Sequence, residues 1–178
     1  GEAVGKAAQA YDPNTIIVTQ KEQLGTAHAL KQAAAALSDF EGDVIVLYGD
    51  TPFIKEDTLR KMLMARENGA RVVVLGFETK EPGRYGRLVM GADGGLNAIV
   101  EAKDATPEQL AINLCNSGVI CANCSTLFTL IDVVGNDNAS GEYYLTDVVG
   151  LARSTDDACA AIICTEAETM GVNSRADL

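Results

Sequence analysis

The residues best placed to do chemistry are polar groups and glycines at predicted strand ends and tight loops. They are Gln20, Gly25 and Thr26, the run Tyr48-Gly49-Asp50, then Gly86, Glu101, Asn116 and Asn173. Asp50 follows the apolar run Val44-Ile45-Val46-Leu47 and precedes Thr51-Pro52. An acid there would lie just past the carboxyl end of a parallel strand, where open α/β sheets bind ligands. Asp50 therefore reads as a metal-binding carboxylate, although a turn residue or a cap for the next helix fits the spacing equally. Gly86 could serve a turn and Thr26 a helix cap. Asn116 and Asn173 lie close to glycines and could occupy left-handed backbone positions. Glu101 ends an apolar strand and would be drawn to the carboxyl edge of the sheet.

No P-loop, H-E-x-x-H, G-x-S-x-G or Cys-His pair occurs. The single histidine, His28, falls in a predicted helix. Without an evident nucleophile, catalysis would rest on positioning and charge neutralisation.

Bulk properties narrow the class. A chain of 178 residues with 47% hydrophobic content suits one soluble globular domain. No apolar run approaches the roughly 18 residues that span a bilayer. The net charge of −11 argues against a nucleic-acid surface, which needs a basic patch. Five cysteines, an odd count, favour reduced thiols and a cytoplasmic setting. Cys121-Ala122-Asn123-Cys124 matches C-x-x-C, but no second ligand pair of that spacing follows, so small buried hydrophobes are expected.

These residues need a scaffold. The pattern predicts a helix over Ala3–Tyr11, a strand over Thr15–Thr19 and an Ala-rich helix from Thr26 to Leu37. It continues with a strand over Val44–Tyr48 buried on both faces, a helix over Glu56–Asn68 stopped by Gly69, and a strand over Arg71–Phe77. This β-α-β-α-β order predicts a doubly wound, Rossmann-like α/β fold with a mixed, mainly parallel sheet. A hairpin follows over 84–100, with Gly91–Gly95 at its turn. Then come a short helix near Pro107, a strand over Ile112–Cys121 broken at Asn116-Ser117-Gly118, helices over Cys124–Val134 and Tyr144–Arg153, and a strand over Ala158–Cys164.

Several stretches form a series in a fixed order. They are Gln20 to Ala29 (Q-K-E-Q-L-G-T-A-H-A), Leu47 to Pro52 (L-Y-G-D-T-P) and Arg84-Tyr85-Gly86-Arg87. Ile99 to Ala105 (I-V-E-A-K-D-A), Asn116-Ser117-Gly118, Gly141 to Asp147 (G-E-Y-Y-L-T-D) and Gly171 to Arg175 (G-V-N-S-R) complete it. Through almost its whole length the chain resembles the uridylyltransferase domain of the bacterial bifunctional N-acetylglucosamine-1-phosphate uridylyltransferase/glucosamine-1-phosphate acetyltransferase. The resemblance implies the nucleotide-diphospho-sugar transferase fold and a magnesium-dependent reaction. UTP and N-acetylglucosamine 1-phosphate would give UDP-N-acetylglucosamine, a precursor of peptidoglycan and lipopolysaccharide, and pyrophosphate. It implies that Gln20, Gly25 and Thr26 read the uracil ring and that Tyr48 and Gly49 line the nucleotide and sugar cleft. Gly86, Glu101 and Asn116 would hold the N-acetylglucosamine portion. Asp50 and Asn173 would be the two magnesium ligands, with Asp50 the catalytic carboxylate. One carboxylate and one amide oxygen suit a cation that keeps waters and takes phosphate oxygens.

The sequence also departs from that family. The 178 residues do not contain the opening strand, the L-A-A-G-x-G-T-R-M loop and the P-K pair that in the family engage the triphosphate, nor its acetyltransferase segment. Met170 stands where an acid is common, and Cys115 where an aliphatic residue is usual. The expectation is a single nucleotidyltransferase domain over residues 1–178, incomplete at its N-terminus, inactive alone and open to self-association through an exposed sheet edge. A sibling nucleotidyltransferase with another sugar phosphate or nucleotide, or a non-catalytic sugar-nucleotide-binding domain, are the alternatives.

Overall fold

The computed structural model describes residues 2–172. Its elements in chain order are α1 (Glu2–Tyr11), α2 (Thr26–Lys31), β1 (Asp43–Val46), α3 (Glu56–Glu67) and β2 (Val72–Glu78). Then come β3 (Arg87–Met90), β4 (Leu96–Val100), α4 (Pro107–Leu110), β5 (Leu114–Asn123), α5 (Cys124–Asp132), α6 (Asp147–Arg153) and β6 (Cys159–Cys164). Among the described residues the strands form one sheet in the order β4-β3-β5-β2-β6, with β1 on the same edge of β5 as β3, paired with its C-terminal half.

Alternation along β2 and β5 builds two cores. Val72, Val74, Ile120 and Ala122 face α2, α5 and α6, packing with Leu127, Ile131, Val148 and Val149. Val73, Leu75, Val119 and Cys121 face α3, meeting Met62 and Ala70. Helices thus cover both faces, as the doubly wound pattern requires. β1, β2 and β6 run in one direction, but β5 lies antiparallel between β1 and β2, and only the β2–β6 pair is hydrogen-bonded in parallel. The parallel share is therefore smaller than the β-α-β spacing implies, because β5 enters between strands that are consecutive in sequence.

Gly69 ends α3 in a left-handed conformation, with φ of 102°. The Gly69 and Ala70 amides return to the Arg66 and Ala65 carbonyls, the pattern of a glycine stop.

Three local expectations need correction. Thr15–Thr19 is not a strand: it runs as mostly exposed irregular backbone, because among the described residues no neighbouring strand accepts its amides. The Ala-rich helix stops at Lys31 and resumes only as a 3₁₀ turn over Ala34–Leu37. Alanines give that stretch little apolar side chain to pin against a core, and short helices depend on such packing. β1 ends at Val46, is half-buried throughout and bonds to β5 alone. Among the described residues its other edge is open.

The break in β5 has a structural cause. Between Val74 and Gly76 of β2, the partner on β5 jumps from Ile120 to Asn116, so extra residues bulge out of the ladder. The Ser117 hydroxyl holds this bulge, donating to Leu75 O at 2.7 Å and accepting from Val119 N at 3.2 Å.

Candidate functional site

The β5 bulge pushes Asn116-Ser117-Gly118 into a cleft of about 600 Å³. Its lining includes Tyr48, Asp50, Gly86, Glu101, Asn116 and Gly118. Five of the sequence-selected residues therefore converge from four separate stretches of chain.

Tyr48 follows β1, and its ring lies against the Gly118 backbone. A Cβ at Gly118, whose φ is 91°, would fall 2.5 Å from that ring. Asn116 fixes the turn by accepting from Gly118 N through Oδ1 at 2.9 Å, while its own N–H donates to Gly86 O at 2.8 Å. Asn116 itself does not have a positive φ; Gly118 takes the left-handed position. Burial raises the Tyr48 pKa, the charges of Glu101 and Asp50 add to the rise, and a hydrogen bond with the Thr26 hydroxyl opposes it.

Asp50 lies in an exposed turn closed by Thr51, whose N–H and hydroxyl reach Tyr48 O at 3.3 and 3.1 Å. Lys55, not Asp50, occupies the N-cap of α3. Among the described residues the Asp50 carboxylate has no hydrogen-bond or ion-pair partner, so its oxygens are free. The Val172 amide donates to Asp50 O at 2.7 Å and ties the Gly171-Val172 segment to this turn. Asn173 comes next in sequence but lies outside the described residues. No group of three or more His, Cys, Asp or Glu side chains forms a metal cage among the described residues. A single free carboxylate fits a magnesium site completed by phosphate oxygens and water.

Among the described residues, its two chain neighbours aside, no atom lies within 4 Å of where a Cβ at Gly49 would be. Gly86 is buried, and a Cβ there would meet Ile99 at 3.3 Å and Glu101 Oε1 at 3.4 Å. Glu101 follows β4 directly and accepts from the Thr146 hydroxyl at 3.2 Å. Burial raises its pKa, the Thr146 bond works against that, and the charges of Asp104 and Asp147 reinforce it.

Gln20, Gly25 and Thr26 form a neighbouring group rather than part of the cleft lining. Gln20 Nε2 donates to Gly25 O at 3.1 Å and lies 3.0 Å from His28 Nδ1. Gly25 has φ of 118°, and a Cβ would fall 2.5 Å from Tyr143 O, so backbone packing alone explains the glycine. Thr26 does not cap its helix; its hydroxyl accepts from Leu145 N at 2.9 Å.

Sequence reading gave no role to Gly118, although it lies within a stretch already marked as distinctive. It also gave none to Arg84, Lys103, Glu142 and Tyr144, which line an adjoining pocket that shares Arg84 and Glu101 with the cleft. Lys103 Nζ donates to Ser140 Oγ at 3.1 Å and Ala139 N to Asp104 Oδ1 at 2.8 Å, fastening the loop before Tyr144. The cysteines are all free, and burial pushes the Cys121 thiol up to about 11.

Residues 2–114 match the family described as the MobA-like NTP transferase domain. The chain belongs to that family. This NTP transferase domain is 59% identical over 177 residues to the bifunctional protein GlmU of Ruegeria pomeroyi, covering 99% of the chain and 39% of that protein. It is also 59% identical to GlmU of Cereibacter sphaeroides, covering 99% of the chain and 38% of the relative. The chain thus spans about two fifths of the length of these curated relatives. A solved UDP-glucose pyrophosphorylase in complex with UDP-glucose shares the fold, with a TM-score of 0.63 at 17% identity. That match covers 90% of this chain and 64% of the other. No described helix is long and apolar enough to cross a membrane.

Proposed function

We propose that this nucleotidyltransferase domain joins UTP to N-acetylglucosamine 1-phosphate, giving UDP-N-acetylglucosamine and pyrophosphate. The observation that carries the reading is the convergence of Tyr48, Asp50, Gly86, Glu101 and Asn116 on one cleft, with the Gly171-Val172 segment bonded to Asp50. A phosphate oxygen of the sugar phosphate attacks the α-phosphorus of UTP in line. The new O–P bond forms as the bond to the oxygen bridging the β-phosphate breaks, and pyrophosphate leaves with that electron pair. No protein nucleophile takes part.

Asp50 and Asn173 would hold magnesium, which when bound offsets the charge that develops on the reacting phosphates. The Gln20 amide and the backbone at Gly25-Thr26 match a uracil edge, which carries both donor and acceptors. Gly49 leaves the backbone open to close approach by the nucleotide. Glu101 accepts from sugar hydroxyls, and the Asn116 amide, with Oδ1 committed to Gly118, offers its NH₂ to the acetamido carbonyl. Five free thiols suit a reducing cytoplasm. The open edge of β1 favours association with a second chain, which light scattering after size exclusion reads directly.

Substrate choice tests the reading. Pyrophosphate release by the longest natural form of the protein should favour UTP over dTTP and N-acetylglucosamine 1-phosphate over glucose 1-phosphate. Equal or reversed preference in either pair would assign the domain to a sibling reaction.

A further inference from the structure

Arg87 is 3% exposed, yet among the described residues it has no carboxylate partner. Its guanidinium instead donates to backbone carbonyls of one loop. Nη1 reaches Tyr85 O and, at 3.4 Å, Pro82 O, while Nη2 reaches Gly83 O at 3.2 Å. Nε is buried, with no partner among the described residues. Burying a charge this way is costly, and an apolar side chain of similar volume would pack at least as well. A planar fork that meets three carbonyls at once does something an apolar residue or a lysine does not.

The loop so gathered is part of the site. Arg84, Tyr85 and Gly86 line the cleft, and Gly86 O is the acceptor for Asn116 N. Tyr85 turns its ring edge-on to Phe77, with centroids 4.9 Å apart and planes at 88°. Arg87 lies directly behind these residues at the first position of β3, paired with Cys115 of β5. We propose that Arg87 is a positioning residue: its guanidinium fixes the Pro82–Gly86 loop, and through Gly86 and Asn116 it sets the sugar-binding wall of the cleft. The inference rests on the sugar-nucleotide reading above, which assigns that wall to the N-acetylglucosamine portion.

Calorimetric titration of the chain with UDP and with UDP-N-acetylglucosamine, in magnesium, separates this role from a purely structural one. Arg87→Lys keeps the charge but cannot span the three carbonyls. It should weaken UDP-N-acetylglucosamine roughly tenfold, within the hundredfold that a 1 Å misplacement can cost. UDP affinity should change less than about twofold, because the base and phosphate contacts lie elsewhere. Amide exchange should accelerate at Tyr85 and Gly86 and stay unchanged in β2. Gly83→Ala, at an exposed position with φ of 46°, disturbs the same loop from outside and should show the same split even where Arg87→Lys fails to fold. Equal weakening of both ligands, or of neither, overturns the role of Arg87. A parent chain that binds UDP-N-acetylglucosamine no better than UDP overturns the sugar reading, and the inference with it.

Discussion

The cleft and the Gln20–His28 segment carry similar polar residues but treat them differently. Around the cleft, backbone bonds hold the frame: Asn116 N to Gly86 O, Val172 N to Asp50 O, and the Ser117 hydroxyl across the bulge. The Asp50 carboxylate is consequently left free for a ligand. In the Gln20–His28 segment the side chains satisfy one another. Gln20 bonds Gly25 and His28, and Gln32 Nε2 lies 3.2 Å from the other nitrogen of His28. The contrast teaches that a site is prepared where strands bear the structural load. Where they do not, the polar groups first stabilise their own loop and, in the proposed reaction, would have to exchange partners to read a base.

One glycine in each region is held by what a Cβ would strike. Gly118→Ala forces a Cβ into the Tyr48 ring on a left-handed backbone and should cost about 2 kcal/mol in urea unfolding, with loss of sugar-nucleotide binding. Gly25→Ala meets the Tyr143 carbonyl just as closely. The atoms it meets are half-buried backbone, pinned by Tyr143 N to Leu24 O and Ala27 N to Tyr143 O, so its cost should also be about 2 kcal/mol, with the loss confined to nucleotide affinity.

Glu101→Gln probes the cleft electrostatically. The folded pKa of Glu101 is raised, so its effect on stability is most favourable when protonated. That advantage declines as pH rises from the unfolded carboxylate pKa through the folded value. The glutamine variant should therefore melt higher than the parent near pH 7, and the difference should close as pH falls to about 4. Sugar-nucleotide binding should weaken in the same variant. A melting difference independent of pH would remove the electrostatic account. The smallest effect should come from Ile16→Ser, in the segment without strand partners. Ile16 is 68% exposed, and its loss should change stability by less than about 0.5 kcal/mol.

Legibility in the sequence followed the same divide. The continuous apolar run of β2, the Gly69 stop and the helical spacing of α3 are local signals, and each was readable from its own stretch. The Thr15–Thr19 run has good strand composition, but composition supplies no hydrogen-bonding neighbour. Thr26 read as a helix cap because capping is local, whereas its hydroxyl serves Leu145 N, 119 residues away. The role of Gly118 depended on where the Tyr48 ring would land, and that of Arg87 on three carbonyls of a loop. Neither is visible until the chain is folded.

In the proposed reaction Asp50 is the carboxylate around which the cleft works. Asp50→Asn preserves size and leaves the Thr51 and Val172 backbone bonds intact, so the variant should fold with an unchanged melting temperature. In the longest natural form of the protein, magnesium-dependent pyrophosphate release from UTP and N-acetylglucosamine 1-phosphate should fall by at least about a hundredfold, the scale of losing one transition-state charge stabiliser. Turnover within a factor of about two of the parent, on a folded variant, would contradict the account.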